Sequence, residues 1–315
     1  MKSTVFWKNR FILFGMMVMA LFISGCSGDD LTPKKGNDPT TPWAVSATED
    51  TWLTTNPYEN KHDGGWVYSA REDVIYAIYG NDNSGRNLYR IDHIGQTSEV
   101  VATSLTVSRH GSHPVIDSTG TYIYLPPSES DAGLERYNTE TDTLETLATA
   151  PYGGQFSHGA WKNDKLWIVL NDENLYSYDP ATNTWSAALY DFGAQYANVA
   201  ASGPGSNLIY IILNGGAFYS YDVTNGTVVP LTPHPHGFGL GGNGEFTWFG
   251  ADIGFIYAVG DYGVPAIYDI ANVGWEDLSD PKNNYDYAGH ATYDSKRMRL
   301  YIVGGDDDQV WYYQY

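Results

Sequence analysis

Gly65, His113, His158, Asn198, Glu245 and His290 fall at matching points of a pattern that recurs through the chain, and five of the six carry groups capable of chemistry. Three imidazoles and a carboxylate form a donor set that suits zinc or manganese, because neutral histidine nitrogens and carboxylate oxygens are ordinary ligands of both. His113, His158 and His290 are therefore candidate ligands of a divalent metal, and Asn198 and Glu245 complete a candidate ligand site. The same residues also read as polar groups lining a wet channel, hydrogen-bonded to water and to one another. Ring distances from blade to blade beyond a metal's reach would favour the second reading, and the alignment of Glu245 is good to about one residue.

These positions are set by a repeat whose clearest copy is Asn174–Trp185, NLYSYDPATNTW. Strand-like alternation runs into the turn Asp-Pro-Ala-Thr-Asn, and Thr184-Trp185 begins another strand. Tyrosine followed by Asp or Asn returns at Tyr137-Asn138, Tyr221-Asp222 and Tyr268-Asp269, with a weaker copy at Ile91-Asp92. From Asp92 to Gln314 the turn position recurs every 41 to 47 residues. Each unit holds four strand-like pieces, the second the most apolar, as in Leu208-Ile209-Tyr210-Ile211-Ile212-Leu213. A four-stranded unit of this length is a β-propeller blade, and six are counted.

The expected fold is all-β, a six-bladed β-propeller of four-stranded antiparallel blades over residues 46–315. The last unit stops after its third strand, Val310–Gln314, while Ser46–Trp52 aligns with Asp179–Trp185. The N-terminal strand is thus expected to pair in the last blade and close the ring, which removes an exposed sheet edge. The repeated tyrosines and tryptophans read as blade-on-blade packing and the repeated Asp as a turn former.

The pattern Leu-Tyr-x-Tyr-Asp-x-x-Thr-Asn-x-Trp, with a glycine doublet after the second strand at Gly215-Gly216 and Gly304-Gly305, resembles kelch-type repeats such as the galactose-oxidase central domain. Only two units keep the doublet, and the outer Trp occurs at Trp52, Trp185 and Trp275 alone. The resemblance implies the propeller fold and leaves function open. Galactose-oxidase chemistry needs a tyrosine cross-linked to a cysteine, and Cys26 is the single cysteine.

The N-terminus supplies that cysteine with another role. Lys2, Lys8 and Arg10 precede the apolar run Phe11–Phe22, then Ile23-Ser24-Gly25-Cys26, which resembles the bacterial lipobox. Residues 1–25 are expected to be a lipoprotein signal peptide, Cys26 the lipidated residue, and 26–45 a flexible tether rich in Pro, Gly, Asp and Thr. The expected location is the cell envelope, lipid-anchored at the outer membrane or surface of a Gram-negative bacterium, with the propeller a monomer.

With 17 Lys and Arg against 37 Asp and Glu, the net charge of −20 argues against nucleic acid, whose phosphates need basic partners. In a propeller the loops entering the first strands and those joining second to third strands share one face. Here they carry aromatic residues (Tyr152, Tyr190, Phe192 and Tyr196 among them), His234 and His236, and acids including Asp131, Asp172, Glu173 and Asp306–Asp308. The expected function is a binding module for a glycan or protein partner on that face. The alternative is an enzyme, a lyase, hydrolase or sugar epimerase, working at the His113, His158 and His290 positions with or without a metal; some propeller lyases that act on uronates do use such a site.

Overall fold

The computed structural model describes residues 48–50, 65–78, 87–105, 112–127, 131–154, 158–193, 197–235, 246–260, 265–278, 290–303 and 310–314, apart from Gln96, Ser104, Ser202, Pro204, Asn214 and Ile253. Cys26, the signal segment, the tether and Glu245 lie outside them. Every regular element among the described residues is a strand, and the strands form six antiparallel sheets. The chain is a six-bladed propeller. Its first strands touch their neighbours from blade one to blade six and back to blade one.

Blade one is Gly65–Ser69, Val74–Ile78, Leu88–Asp92 and Thr97–Ala102. Blade two runs from Val115–Ile116 to Thr143–Thr146, blade three from Ala160–Lys162 to Thr184–Trp185, blade four from Asn198–Ala201 to Val228–Pro230, and blade five from Phe246–Asp252 to Gly274–Asp277. Blade three also holds a short fifth strand, Tyr190–Asp191, paired with Asn174–Leu175. Second strands carry the core because both their faces are covered by neighbouring blades; Val74–Ile78 is buried at every residue.

The repeat works as a register device. Tyr137 pairs with Leu144, Tyr178 with Trp185, Tyr221 with Val228 and Tyr268 with Trp275, so one hairpin geometry recurs. The Oδ1 of Asn138 accepts the backbone N–H of Glu140, and Asp179 that of Ala181, each capping its own turn. In blades two to five the fourth residue past the turn residue has a left-handed backbone: Asp142 (φ 52°), Asn183 (52°), Gly226 (75°) and Val273 (56°). Asp142 and Asn183 make use of it, since their side chains accept the hydroxyls of Tyr137 at 2.6 Å and Tyr178 at 2.7 Å. Val273 cannot, and a β-branched residue at positive φ is strained.

Blade six, His290–Asp294, Arg299–Val303 and Val310–Gln314, is completed by Thr48–Asp50. The closing strand is the expected one, but its register is not. Thr48 lies opposite Tyr312, equivalent to Ser177, which faces Ser186. The alignment of Ser46–Trp52 with Asp179–Trp185 would instead put Thr48 at the position of Ala181; Trp52 itself lies outside the described residues. In the other blades a turn fixes which residues pair, whereas this strand arrives from the far end of the chain and no turn sets its register. Gln314 stands where the turn Asp would be, and its side-chain amide instead accepts from Arg299 and donates to the Arg297 carbonyl.

Removing residues 46–53 takes away that closing strand and should lower the melting temperature by more than about 5 °C or cause aggregation; a truncated protein melting with its parent would contradict closure. Val273→Asn relieves the strained backbone and offers Tyr268 an acceptor. It should stabilise by about 1 kcal/mol, read as a rise of about 2–4 °C in thermal unfolding.

Candidate functional site at the channel mouth

The face opposite the Asp turns gathers the starts of the first strands, and three of the candidate residues meet there. His113 and His158 precede their strands, which begin at Val115 and Ala160, while Asn198 opens its own. All three are buried, at 5%, 2% and 1% exposure. The imidazoles of His113 and His158 lie 3.3 Å apart between centroids, with planes 35° apart. The His158 backbone N–H donates to Asn198 Oδ1 at 3.2 Å, and the Val199 N–H donates to the His158 carbonyl at 2.9 Å, so blades three and four are stitched together at this point. Ser112 anchors the approach to His113 through a hydrogen bond to the Pro126 carbonyl.

Gly65 completes this arc on the other side. A Cβ there would lie 2.6 Å from His113 Cα and Nδ1, so the missing side chain is what allows the imidazole to lie against blade one. Gly65, His113, His158 and Asn198 thus line one contiguous stretch across four blades. His290 opens the first strand of blade six opposite Val303, its side chain outside the described residues, as Glu245 is entirely. The His113 and His158 imidazoles are in contact with their planes tilted by 35°; holding one ion between them needs a nitrogen of each ring aimed at a common point.

Around this mouth, the loops of blades two to four carry aromatic and acidic groups. Tyr152 is 50% exposed and Tyr190 39%. Tyr190 packs against Phe192 at 4.7 Å, and Phe192 against Tyr219 at 5.4 Å, a row that crosses from blade three to blade four. Asp172 is held in place by the Tyr176 hydroxyl at 2.6 Å and the Asn174 amide at 3.0 Å. Burial, the Asp172 carboxylate and the nearby Tyr152 phenol all push the Tyr176 hydroxyl above its ordinary range, so it stays protonated and donating. His234 belongs to the scaffold: it is buried, edge-on to Trp275 at 4.7 Å.

A second polar cluster lies on the turn face, where blade one meets blade six, and the sequence reading missed it. Asp73, His93 and Asp294 offer ligand atoms within 4.8 Å of one another. A cation already sits among them: the Arg297 guanidinium donates to Asp73 at 2.7 and 2.8 Å and to Asp294 at 2.8 Å. Those bonds hold Asp73 well below the usual carboxylate range. Burial pushes Asp294 upward, but hydrogen bonds from His93 and Arg297 outweigh it and hold the carboxyl at about 2. The cluster is an ionic clasp between blades. Its one sequence signal is His93 itself, a histidine where the other turns have Thr139, Pro180, Val223 and Ile270.

Gly65→Ala forces a methyl group into the His113 backbone and should cost about 1–3 kcal/mol. Thermal unfolding should show this as a lowered midpoint. An unchanged midpoint would mean that the imidazole is not packed against blade one.

Residues 66–237, spanning blades one to four, match the family described as a repeat of unknown function, DUF6923. The fold is similar to that of a solved structure titled "Structure of YjhT", with a TM-score of 0.60 and 14% identity over 80% of this chain and 93% of that one. At that identity the likeness is one of fold. No curated protein matches the chain. The family match covers more than half of the 315 residues, and the chain belongs to the DUF6923 repeat family.

Proposed function

We propose that the domain is a binding module for a saccharide, held at the cell envelope by a lipid on Cys26. The observation that carries this reading is the Tyr190–Phe192–Tyr219 row, placed with exposed Tyr152 and the oriented Asp172 on the face that also holds His113, His158 and Asn198. Sugars lay their apolar faces on aromatic rings while carboxylates and amides take their hydroxyls. The net charge of −20 favours neutral or cationic saccharides over polyanionic ones.

A second reading has its own support. Two imidazoles in contact at a buried mouth, beside an amide, are suited to proton transfer, so an enzyme acting there is the competing proposal. A divalent metal would belong to that reading, on His113, His158 and His290.

Isothermal titration of the full chain against neutral and cationic oligosaccharides tests the first proposal. Binding is expected, weakened about tenfold by Tyr152→Ala or Tyr190→Ala, the loss of one stacking contact of roughly 1.4 kcal/mol. No binding across the panel, together with stoichiometric metal in the purified protein that His158→Ala abolishes, would reverse the order of the two readings.

A further inference from the structure

The cleft between blades two and three is filled to its outer end by two indoles. Trp161 stacks on Tyr124 at 4.9 Å, and Trp185 packs on Tyr178 at 5.3 Å while its Nε1–H donates to the Ala148 carbonyl at 2.9 Å. Cross-strand register identifies the equivalents one blade earlier. Tyr124 pairs with Arg136, and Arg136 with Glu145; Tyr76 pairs with Arg90, and Arg90 with Glu99. By the same register Trp185 corresponds to Leu144, and Trp161 to Ile116. Two aliphatic side chains thus stand where two indoles close the next seam.

The outer part of the cleft between blades one and two is accordingly open, a groove of about 440 Å³. It is lined by Glu72, Glu99 and Asp142 with Arg90 and Val101. Three carboxylates face one guanidinium, and Arg90 is already committed to Glu72 at 3.3 Å and Glu99 at 3.0 Å. One wall is the outermost strand of blade one, Thr97–Ala102, six residues long against two for the equivalent Thr184–Trp185. No strand pairs with its outer edge among the described residues. Val100 on it is 45% exposed.

A free strand edge beside an acidic groove favours an extended segment that bears a cation. We propose that this groove docks an arginine-bearing extended segment of a partner protein. The segment pairs with the edge of Thr97–Ala102, and its guanidinium enters the groove toward Glu99 and Asp142. Arginine fits better than lysine because its planar fork matches carboxylates and its stem lies along Val101. The site is on the rim between blades one and two, toward the turn face, and is independent of the saccharide face.

Fluorescence anisotropy of the full chain with the labelled peptide Thr-Val-Arg-Val-Thr tests this. Binding is expected, with a Kd that rises about tenfold or more when Arg is replaced by Ala and rises with salt. Leu144→Trp refills the seam as Trp185 and Trp275 do, and should abolish binding while the melting temperature holds or rises. Glu99→Gln, at an exposed side chain with little bearing on folding, should weaken binding about tenfold. Three results would overturn the proposal: no binding of the arginine peptide below about 1 mM, equal binding of the alanine peptide, or parent-like binding by both variants. Concentration-dependent dimerisation lost in Leu144→Trp would assign the groove to a second copy of this chain instead.

Discussion

A four-stranded blade cannot bury its own two faces, and contact between neighbouring blades is the constraint on which the rest of this molecule depends. The contact is aromatic where it is tightest: Tyr137, Tyr178, Tyr268 and Tyr313 are all within 2% of full burial. The hydroxyls of Tyr137 and Tyr178 reach a residue of their own turn, so these two rings are held by their hairpins as well as by the neighbouring blade. In blades two and three, packing and turn chemistry are therefore one device.

Variation at the seams follows from the same device. Where an outer tryptophan is present the cleft is sealed, as at Trp185 and Trp275, each tied by its indole N–H to a carbonyl of the loop leaving the preceding blade. Where Leu144 replaces it, the cleft opens. At the innermost end the seams are closed by small and planar groups, Gly65 against His113 and His113 against His158. Between blades one and six, where the first blade meets the last, apolar packing is joined by the buried Asp294 and its partners His93 and Arg297. A buried carboxylate is tolerated there because its oxygens are hydrogen-bonded from several sides.

The architecture was legible in the sequence because it is written several times over. The pairings Tyr178 to Trp185 and Tyr268 to Trp275 follow directly from turn spacing, and the meeting of His113, His158 and Asn198 follows from aligning the units. What escaped was whatever is not repeated. The register of Thr48–Asp50 has no turn behind it, and the His93–Asp294 clasp joins residues 201 positions apart that no motif connects. The close contact of the His113 and His158 rings, 3.3 Å between centroids, was likewise beyond a reading that could place residues on one rim but not measure their separation. His234 read as a loop group, yet Trp275 of the next blade covers it.

The division of the molecule into a repeated scaffold and one specialised face is tested most directly by the histidines, which lie on both. In a histidine-selective NMR titration with a saccharide that binds the full chain, the imidazole signals of His113 and His158 at the channel mouth should move with the binding isotherm, while His93 in the turn-face clasp stays still. Movement of His93 alone, or saturation by saccharide with no change at His113 or His158, would contradict a ligand site at the channel mouth.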